Sequence, residues 1–593
     1  MASSDWYTHA ASLHAAGNTD AAIAVVLQAI KQAPADPNVL MPAASALGAL
    51  AQTDRALFYA QRAVELAPSN PVAWRCVHDL LWNAGRYAEM IASATRAVVA
   101  CPQSSGLWLD LAAPYLDIGE SDQSLAAIKQ AIAREPLGWI AAQAQLLAMN
   151  YLWPPDPAAM KGALLHAATC AALAAQVLPI APLPASPASP ASPVSLASPA
   201  PLSPLSPVPA GTKPLLLFVS PDCFIHSVAF FLLPLLEHAD PTRARVHIIH
   251  TGPKRDAVTA QIQAACRRLG GDLHESAPDA IFGPINAITA AHGPIDIAID
   301  LAGLTPRNSI NCFARTIAPR QASYLGYPNS TGQPAIGVRL VDAITDPPGG
   351  STDGLGPERL IRLPGCFLCY QPPHNAPPVA PAPPAAPARD GNSGGVTFGS
   401  FNNACKLNSA TLDLWSRVLA SVPGSALLLK CATIKDKASL ALLRKRIDRA
   451  FTARSVDPRR VEVVLSVKDV AANLALYSRI DIALDTLGYT GTTTTCEALY
   501  MGVPVLTCAP PQALHAGRVS ASLLSCVSLP ELITTSTDEF VARAAALAAD
   551  RQQRALYRAT LRQRISSSPL CDAPAFAAKW FDAVLSDQTW ASL

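Results

Sequence analysis

The chain has 593 residues, enough at roughly 150 residues per domain for about four units and more than one large core. Charged residues make up 15%, and Lys+Arg 45 against Asp+Glu 43 leave a net charge of +2, which argues against nucleic acid as the main ligand. The opening segment MASSDWYTHAASLHAAGNTD lacks a basic stretch followed by an apolar core, so no signal peptide is read there. No unbroken apolar run of the roughly 18 residues a membrane span needs stands outside the proline-broken tract near 180–210. Among the 14 cysteines, Cys366 and Cys369 stand close together in CFLC, within an expected strand. They read as buried reduced thiols rather than a zinc ribbon or disulfide framework, and no metal site is expected. These features place the chain in the cytoplasm, or also the nucleus in a eukaryote.

Repeats come first along the chain. Pro34, Pro68, Pro102 and Pro136 recur every 34 residues, as do Ala29, Ala63, Ala97 and Ala131. Gly17, Gly85 and Gly119 keep a third phase, with Ala51 in the missing slot. Small residues let paired helices approach, glycine opens the turn and proline ends the unit, which is the tetratricopeptide pattern. Four repeats over about 3–138 and a further helical segment predict a solenoid over 1–178, a recognition module for polypeptides. An alanine-rich helical bundle is the plainer alternative. Residues 179–212 are a Pro/Ala/Ser-rich linker, where repeated proline blocks both helix and sheet ladders.

Beyond it the pattern becomes βα alternation. LLLFVS (215–220), RVHIIH (245–250) and IDIAIDLAG (295–303) read as buried strands of a first unit over 213–371. The helix after the first strand is expected to run through His226 to His238. A Pro-rich insert over 372–395 precedes a second unit over 396–593, with strands at VTFGSF, ALLLK, VEVVLS, DIALD and VPVLT. Two successive open parallel α/β units place a ligand at the carboxyl ends of their strands. This is the layout of a GT-B core of two Rossmann-like domains, so the predicted class is an α-solenoid followed by α/β. No GxGxxG fingerprint follows a first strand, which argues against a dinucleotide oxidoreductase.

The segment DTLGYTGTTTTCEALYMGVPVLT (485–507) holds the strongest chemical signal. A strand ends in Asp485, a Gly/Thr-rich loop follows, and a helix is expected from Thr494. Thr492, Thr493, Thr494 and Thr495 with loop amides form a phosphate cradle, where an ordinary N-cap needs one hydroxyl. Glu497, one turn on, suits a ribose diol. Lys406, in GSFNNACK after a strand, suits a diphosphate and its developing charge, and Asn402 and Asn403 offer amides to the same donor. His226, in VSPDCFIHS, suits a general base or an acceptor-positioning residue, with a structural histidine as the alternative. Asp222 is expected to cap the following helix or order the loop.

Taken in order, VSPDCFIHS, IAPRQASYLGYPNSTG (317–332), ITDPP (344–348), RLPGCFLCY, FGSFNNACK and GTTTTCEALYMGVP resemble the O-GlcNAc transferase/SPINDLY family of tetratricopeptide-containing protein O-glycosyltransferases. The resemblance covers the repeats and nearly all of 213–585. It implies inverting, metal-independent transfer of a single sugar from a nucleotide-sugar co-substrate to Ser/Thr of intracellular proteins held by the solenoid. On that resemblance His226 is the catalytic-domain histidine and Lys406 the diphosphate contact. Thr493 and Thr494 are the phosphate-binding pair and Glu497 the ribose contact, while His515 and Arg518 lie in the next donor-side segment. Thr492 stands where animal-type relatives carry His, and Leu304 where SPINDLY-like ones usually carry His. The motifs favour the SPINDLY branch and GDP-fucose, with UDP-GlcNAc as the alternative donor and an inactive tetratricopeptide scaffold as the alternative function. A homodimer is compatible with this reading; no nucleic-acid or membrane partner is expected.

Overall fold

The computed structural model describes residues 5–177, 213–381 and 395–590 apart from 432, 466 and 468. The linker expected at 179–212, and most of the insert expected at 372–395, lie outside the described residues. The chain divides into two compact units, Met1–Leu152 with Ser400–Lys468, and Trp153–Gly399 with Asp469–Leu593.

The solenoid consists of α1 (Asp5–Ala15), α2 (Thr19–Gln32), α3 (Pro37–Ala49), α4 (Thr53–Leu66), α5 (Pro71–Ala84), α6 (Tyr87–Ala100), α7 (Ser105–Asp117) and α8 (Ser121–Arg134). Two further helices follow, α9 (Trp139–Met149) and α10 (Pro157–Val177). Each periodic feature has a visible task. Ala29, Ala63, Ala97 and Ala131 are buried on the second helix of each pair. Pro34, Pro68, Pro102 and Pro136 come just past the ends of those helices, where a missing N–H stops propagation. Asp36 and Asn70 cap α3 and α5, each followed by proline in the first turn. Within each pair, the chain turns through a left-handed residue: Gly17, Ala51, Gly85 and Gly119 have φ of 81°, 59°, 68° and 83°. The next amide then reaches back into the first helix, as Gln52 N–H does to Leu47 C=O and Glu120 N–H to Tyr115 C=O. Ala51 accepts a left-handed conformation that costs about 1–2 kcal/mol in a non-glycine residue, and the repeat tolerates it.

The first sheet comprises β1 (Leu215–Ser220), β2 (Arg245–His250), β3 (Leu273–Glu275), β4 (Ile297–Asp300), β5 (Arg320–Ser323), β6 (Val338–Asp342) and β7 (Arg359–Leu363). Its order is β3-β2-β1-β4-β5-β6-β7, and its pairings are parallel. Helices α11 (Ala229–His238), α12 (Ala257–Arg268), α13 (Phe282–His292) and α14 (Ile310–Phe313) intervene. The second sheet has β8 (Thr397–Ser400), β9 (Ala426–Cys431), β10 (Val461–Leu465), β11 (Ile482–Leu484), β12 (Val505–Cys508) and β13 (Ile533–Thr534), in the order β10-β9-β8-β11-β12-β13. Its helices are α15 (Ser409–Ser421), α16 (Lys437–Thr452), α17 (Val470–Ala475), α18 (Thr493–Tyr500) and α19 (Val519–Cys526). The predicted solenoid followed by two Rossmann-like sheets is therefore the observed class.

Local differences have simple causes. α11 begins at Ala229, so His226 lies in the preceding loop and not in the helix. CFLC lies beyond β7 rather than in a strand, and each of the 14 cysteines is a free thiol. β5, of sequence RQAS, carries no apolar run, yet it is buried because its polar side chains find partners. Gln321 donates to the Phe313 and Ala335 carbonyls at 3.0 and 2.9 Å, and Arg320 pairs with Asp587 at 2.7 Å. The helix Ala573–Leu585 sets Trp580 against Phe218 of β1 and Tyr324, with ring centroids 5.8 and 5.7 Å apart. Among the described residues, no helix is long and apolar enough to cross a membrane.

Candidate active site

The loop after β11 is fixed from its first residue. Asp485, buried at the strand end, accepts from the amides of Thr486 and Gly491 at 2.9 and 2.8 Å and from the Thr507 hydroxyl at 2.8 Å. The Thr490 amide and hydroxyl both donate to Ala516 C=O at 2.9 Å. Ser520 donates to Gly491 C=O at 2.8 Å and pairs with the Thr495 hydroxyl at 2.9 Å. Gly491 has no room for a side chain: a Cβ there would stand 2.4 Å from Thr495 Oγ1 and 2.8 Å from Thr494 Oγ1.

α18 opens at Thr493, one residue before the expected start. Thr492 occupies the N-cap, but its side chain makes no capping bond. The Thr493 hydroxyl is buried and has no hydrogen-bond partner among the described residues. An N-cap built only for stability would use its side chain, and buried hydroxyls are normally paired. Uncapped amides beside an unpaired hydroxyl suit an anion arriving from outside. Glu497 is half-buried, and the Tyr477 hydroxyl donates to it at 3.3 Å and to Thr494 C=O at 3.1 Å. Burial and the Glu497 charge push the Tyr477 phenol well up, so it remains a donor.

His515 and Arg518 belong to a different construction. His515 is buried, with Nδ1 2.5 Å from Asp346 and 3.2 Å from Arg339, which itself pairs with Asp346 at 2.8 Å. Despite its burial, Asp346 is held far below the ordinary carboxylate range by Arg339 and His515. Arg518 donates to the carbonyls of Ile344 and Pro510 at 2.8 and 2.9 Å. His515 Nδ1 and the Nε and Nη1 of Arg518 thus join the ITDPP segment to the segment before α19. Ser522 adds a bond to Asp342 at 2.6 Å.

The loop after β1 is looser. His226 is 40% exposed, its Nδ1 lies 3.6 Å from Asp222, and its ring stands 5.5 Å from that of Phe224. Burial lowers its pKa below the ordinary histidine value, Asp222 opposes that shift and Lys254 adds to it. Asp222 faces the histidine rather than capping α11, whose N-terminus has no side-chain cap. At the end of the neighbouring β4, Asp300 is fully buried and accepts from the amides of Ala302 and Gly303 at 3.1 and 2.7 Å. Burial pushes it up to about 7.

In the other compact unit, Lys406 ends the one-turn 3-10 helix Ala404–Lys406 six residues after β8, half-buried. Asn402 is buried, with its amide 3.4 Å from the Ser400 hydroxyl, and Asn403 is exposed. The structure thus joins His226 to Asp222, Thr495 to Ser520, and His515 to Asp346. Tyr477, Ser520, Asp346 and Arg339 escaped sequence reasoning. Tyr477 sits in ALYSR, which carries no motif, and the others act only through partners distant in the chain.

A solenoid followed by two parallel α/β sheets, with a Thr-lined helix N-terminus beyond a strand, defines a tetratricopeptide-linked protein of glycosyltransferase architecture. Residues 391–580 match the model of Glycosyl transferase family 41. The SPINDLY protein of Solanum lycopersicum, described as a probable UDP-N-acetylglucosamine–peptide N-acetylglucosaminyltransferase, is 37% identical over 368 residues, 61% of this chain and 38% of its own length. The SEC protein of Arabidopsis thaliana is 27% identical over 304 residues, 51% of this chain and 29% of its own. A solved structure of a mutant Thermobaculum terrenum O-GlcNAc transferase superposes with a TM-score of 0.77 at 27% identity, covering 94% of this chain and 98% of that one. The chain is thus similar over 61% of its length to a SPINDLY-type protein, and over 391–580 to the family 41 glycosyltransferase model. It spans 38% of the length of the tomato relative.

Proposed function

We propose that the protein is an intracellular protein O-glycosyltransferase that moves one sugar from a nucleotide sugar to a Ser or Thr hydroxyl, with inversion and without a metal ion. The observation that carries this reading is the uncapped start of α18 with the buried Thr493 hydroxyl, unpartnered among the described residues, at the end of a loop anchored on Asp485. A diphosphate supplies the missing acceptors, and Glu497 takes the ribose. On this reading Lys406 meets the diphosphate and stabilises the leaving nucleoside diphosphate. Asn402 and Asn403 orient the donor. His226 takes or orients the acceptor proton, and the solenoid delivers the acceptor polypeptide.

The donor proposed is GDP-fucose, because the SPINDLY-type segments GTTTTCE and VSPDCFIHS are present and the identity to SPINDLY, 37%, exceeds that to SEC, 27%. The second reading is UDP-GlcNAc, favoured by the donor in the names of the SPINDLY relatives and by the Thermobaculum O-GlcNAc transferase. Thermal shift with GDP and with UDP separates the two, and mass spectrometry of a modified acceptor weighs the sugar. Stabilisation by UDP alone, with a hexosamine on the acceptor, overturns the fucose reading. Lys406→Ala should lower transfer by about 100-fold or more with the fold intact; full activity in that variant overturns the diphosphate assignment. An inactive scaffold would bind and turn over neither donor.

A further inference from the structure

The turn that carries Lys406 takes its shape from the solenoid. Within it, Lys406 N–H reaches Asn403 C=O and Leu407 N–H reaches Ala404 C=O, both at 3.0 Å, and the Thr411 hydroxyl of α15 reaches Lys406 C=O at 3.5 Å. Two short backbone bonds define a turn but do not fix where it sits. Further support comes from the fourth repeat, within the same compact unit.

Arg446, on α16, is buried and makes the connection. Its Nη1 donates to Ile118 C=O, and its Nη2 donates to Gly119 C=O at 2.8 Å and to Leu407 C=O at 2.7 Å. Its Nε lies 2.8 Å from Glu120. One planar guanidinium therefore reads the turn between α7 and α8 and, on the other side, the carbonyl next to Lys406. Gly119 brings the two backbones together. With φ of 83°, it would, if given a Cβ, stand 2.6 Å from Ala404 C=O, 2.7 Å from Leu407 C=O and 2.8 Å from Arg446 Nη1. Those two carbonyls bracket Lys406. Two further bonds continue the same seam. Asn408 donates to Tyr151 C=O at 2.7 Å, and Ala88 N–H at the start of α6 donates to Ser439 on α16 at 3.1 Å.

The repeat itself supplies the contrast. Gly17 occupies the same phase with φ of 81°, and a Cβ there meets nothing within 4 Å. The left-handed turn explains glycine at both positions, whereas the close approach is a demand on Gly119 from the Lys406 turn.

We propose that Arg446 and Gly119 are positioning residues for Lys406, so that the solenoid sets the geometry of the donor-side lysine as well as presenting acceptors. This rests on the reading of Lys406 as the diphosphate contact. It predicts that damage to the seam slows chemistry even where no polypeptide is engaged, because a displaced lysine meets the leaving group poorly.

The test uses the full chain and donor hydrolysis by water, with GDP-fucose and UDP-GlcNAc each supplied. Gly119→Ala, Arg446→Lys, Gly17→Ala and Lys406→Ala are compared, the first two also in the Lys406→Ala background. Gly119→Ala and Arg446→Lys are expected to lower kcat about ten-fold or more with donor KM near that of the unmodified protein. Gly17→Ala should keep kcat while losing thermal stability through the strained turn. In the Lys406→Ala background neither seam variant should slow the residual rate further, because the residue they position is gone. An unmodified kcat in both seam variants beside an inactive Lys406→Ala overturns the positioning role alone. So does an equal fold-loss with and without Lys406, which is what a merely structural role would give. Full activity of Lys406→Ala overturns the positioning role together with the reading beneath it. If Gly119→Ala fails to fold, Arg446→Lys decides, since it keeps the charge and removes the fork.

Discussion

The threonine loop after β11 and the histidine loop after β1 lie in one compact unit, and both follow parallel strands, yet they are built oppositely. Asp485 alone accepts three bonds in the first, and Ser520 and Tyr477 brace the end where α18 begins. In the second, His226 is 40% exposed and meets Asp222 at 3.6 Å. The difference matches the two halves of the proposed reaction. A diphosphate is the same in every turnover, so its cradle gains from being preorganised. Acceptor side chains differ between proteins, and a proton-handling group needs access to each of them.

Five substitutions break or sharpen this comparison. Asp485→Ala should have the largest effect, because it strands two amides and a hydroxyl in the interior. A loss of about 3 kcal/mol or more is expected, read by denaturant unfolding, together with loss of any nucleotide-induced thermal shift. A stable variant that still binds nucleotide would show that the loop is not held from Asp485. Next comes His226→Asn, for which transfer should fall by about 100-fold while the melting temperature stays level, since the ring is partly exposed. Equal loss of rate and stability would return His226 to a structural role.

Thr493→Val separates binding from folding. The hydroxyl has no partner among the described residues, so removing it should leave unfolding stability unchanged or slightly higher. Nucleotide affinity should nevertheless fall about ten-fold, the loss of one hydrogen bond to a charged group, as measured by calorimetry. Parallel losses would mean that the hydroxyl serves the fold. The smallest effect is a displacement of a pH limb. Burial lowers the His226 pKa and the Lys254 charge lowers it further, so a neutral base persists below the usual histidine range. Lys254→Met removes a positive neighbour, raises that pKa and moves the acid limb of kcat/KM to higher pH. Asp222→Asn removes the opposing charge and moves the limb lower. An unmoved limb in both variants would assign the titration to another group.

Much of the fold was legible because its signals are local. The 34-residue period specified helices, turns and stops together, and the left-handed φ at Gly17, Gly85 and Gly119 is what glycine at that phase demands. Strands at 215–220 and 245–250 were readable to the residue, being short apolar runs flanked by breakers. β5, β6 and β7 were not, since RQAS, VRLVD and RLIRL mix charged and apolar residues and are strands only because partners elsewhere receive those polar groups. The candidate site divides the same way. Thr493, Glu497 and Lys406 announce themselves by residue type and place after a strand. Tyr477 and Ser520 do not, because a lone tyrosine or serine says nothing of a carbonyl 17 or 29 residues away.

The sequence by itself determined the repeat, the alternation of strand and helix, and which loops bear hydroxyl, amine and imidazole groups, because each follows from periodicity and side-chain chemistry within a few residues. Only the tertiary structure decided that His515 is locked to Asp346 and that Arg446 joins Gly119 to the carbonyl beside Lys406. These are bonds between groups tens to hundreds of residues apart. Their strength depends on burial and on the fixed fork of a guanidinium, and neither is written in any one segment of the chain.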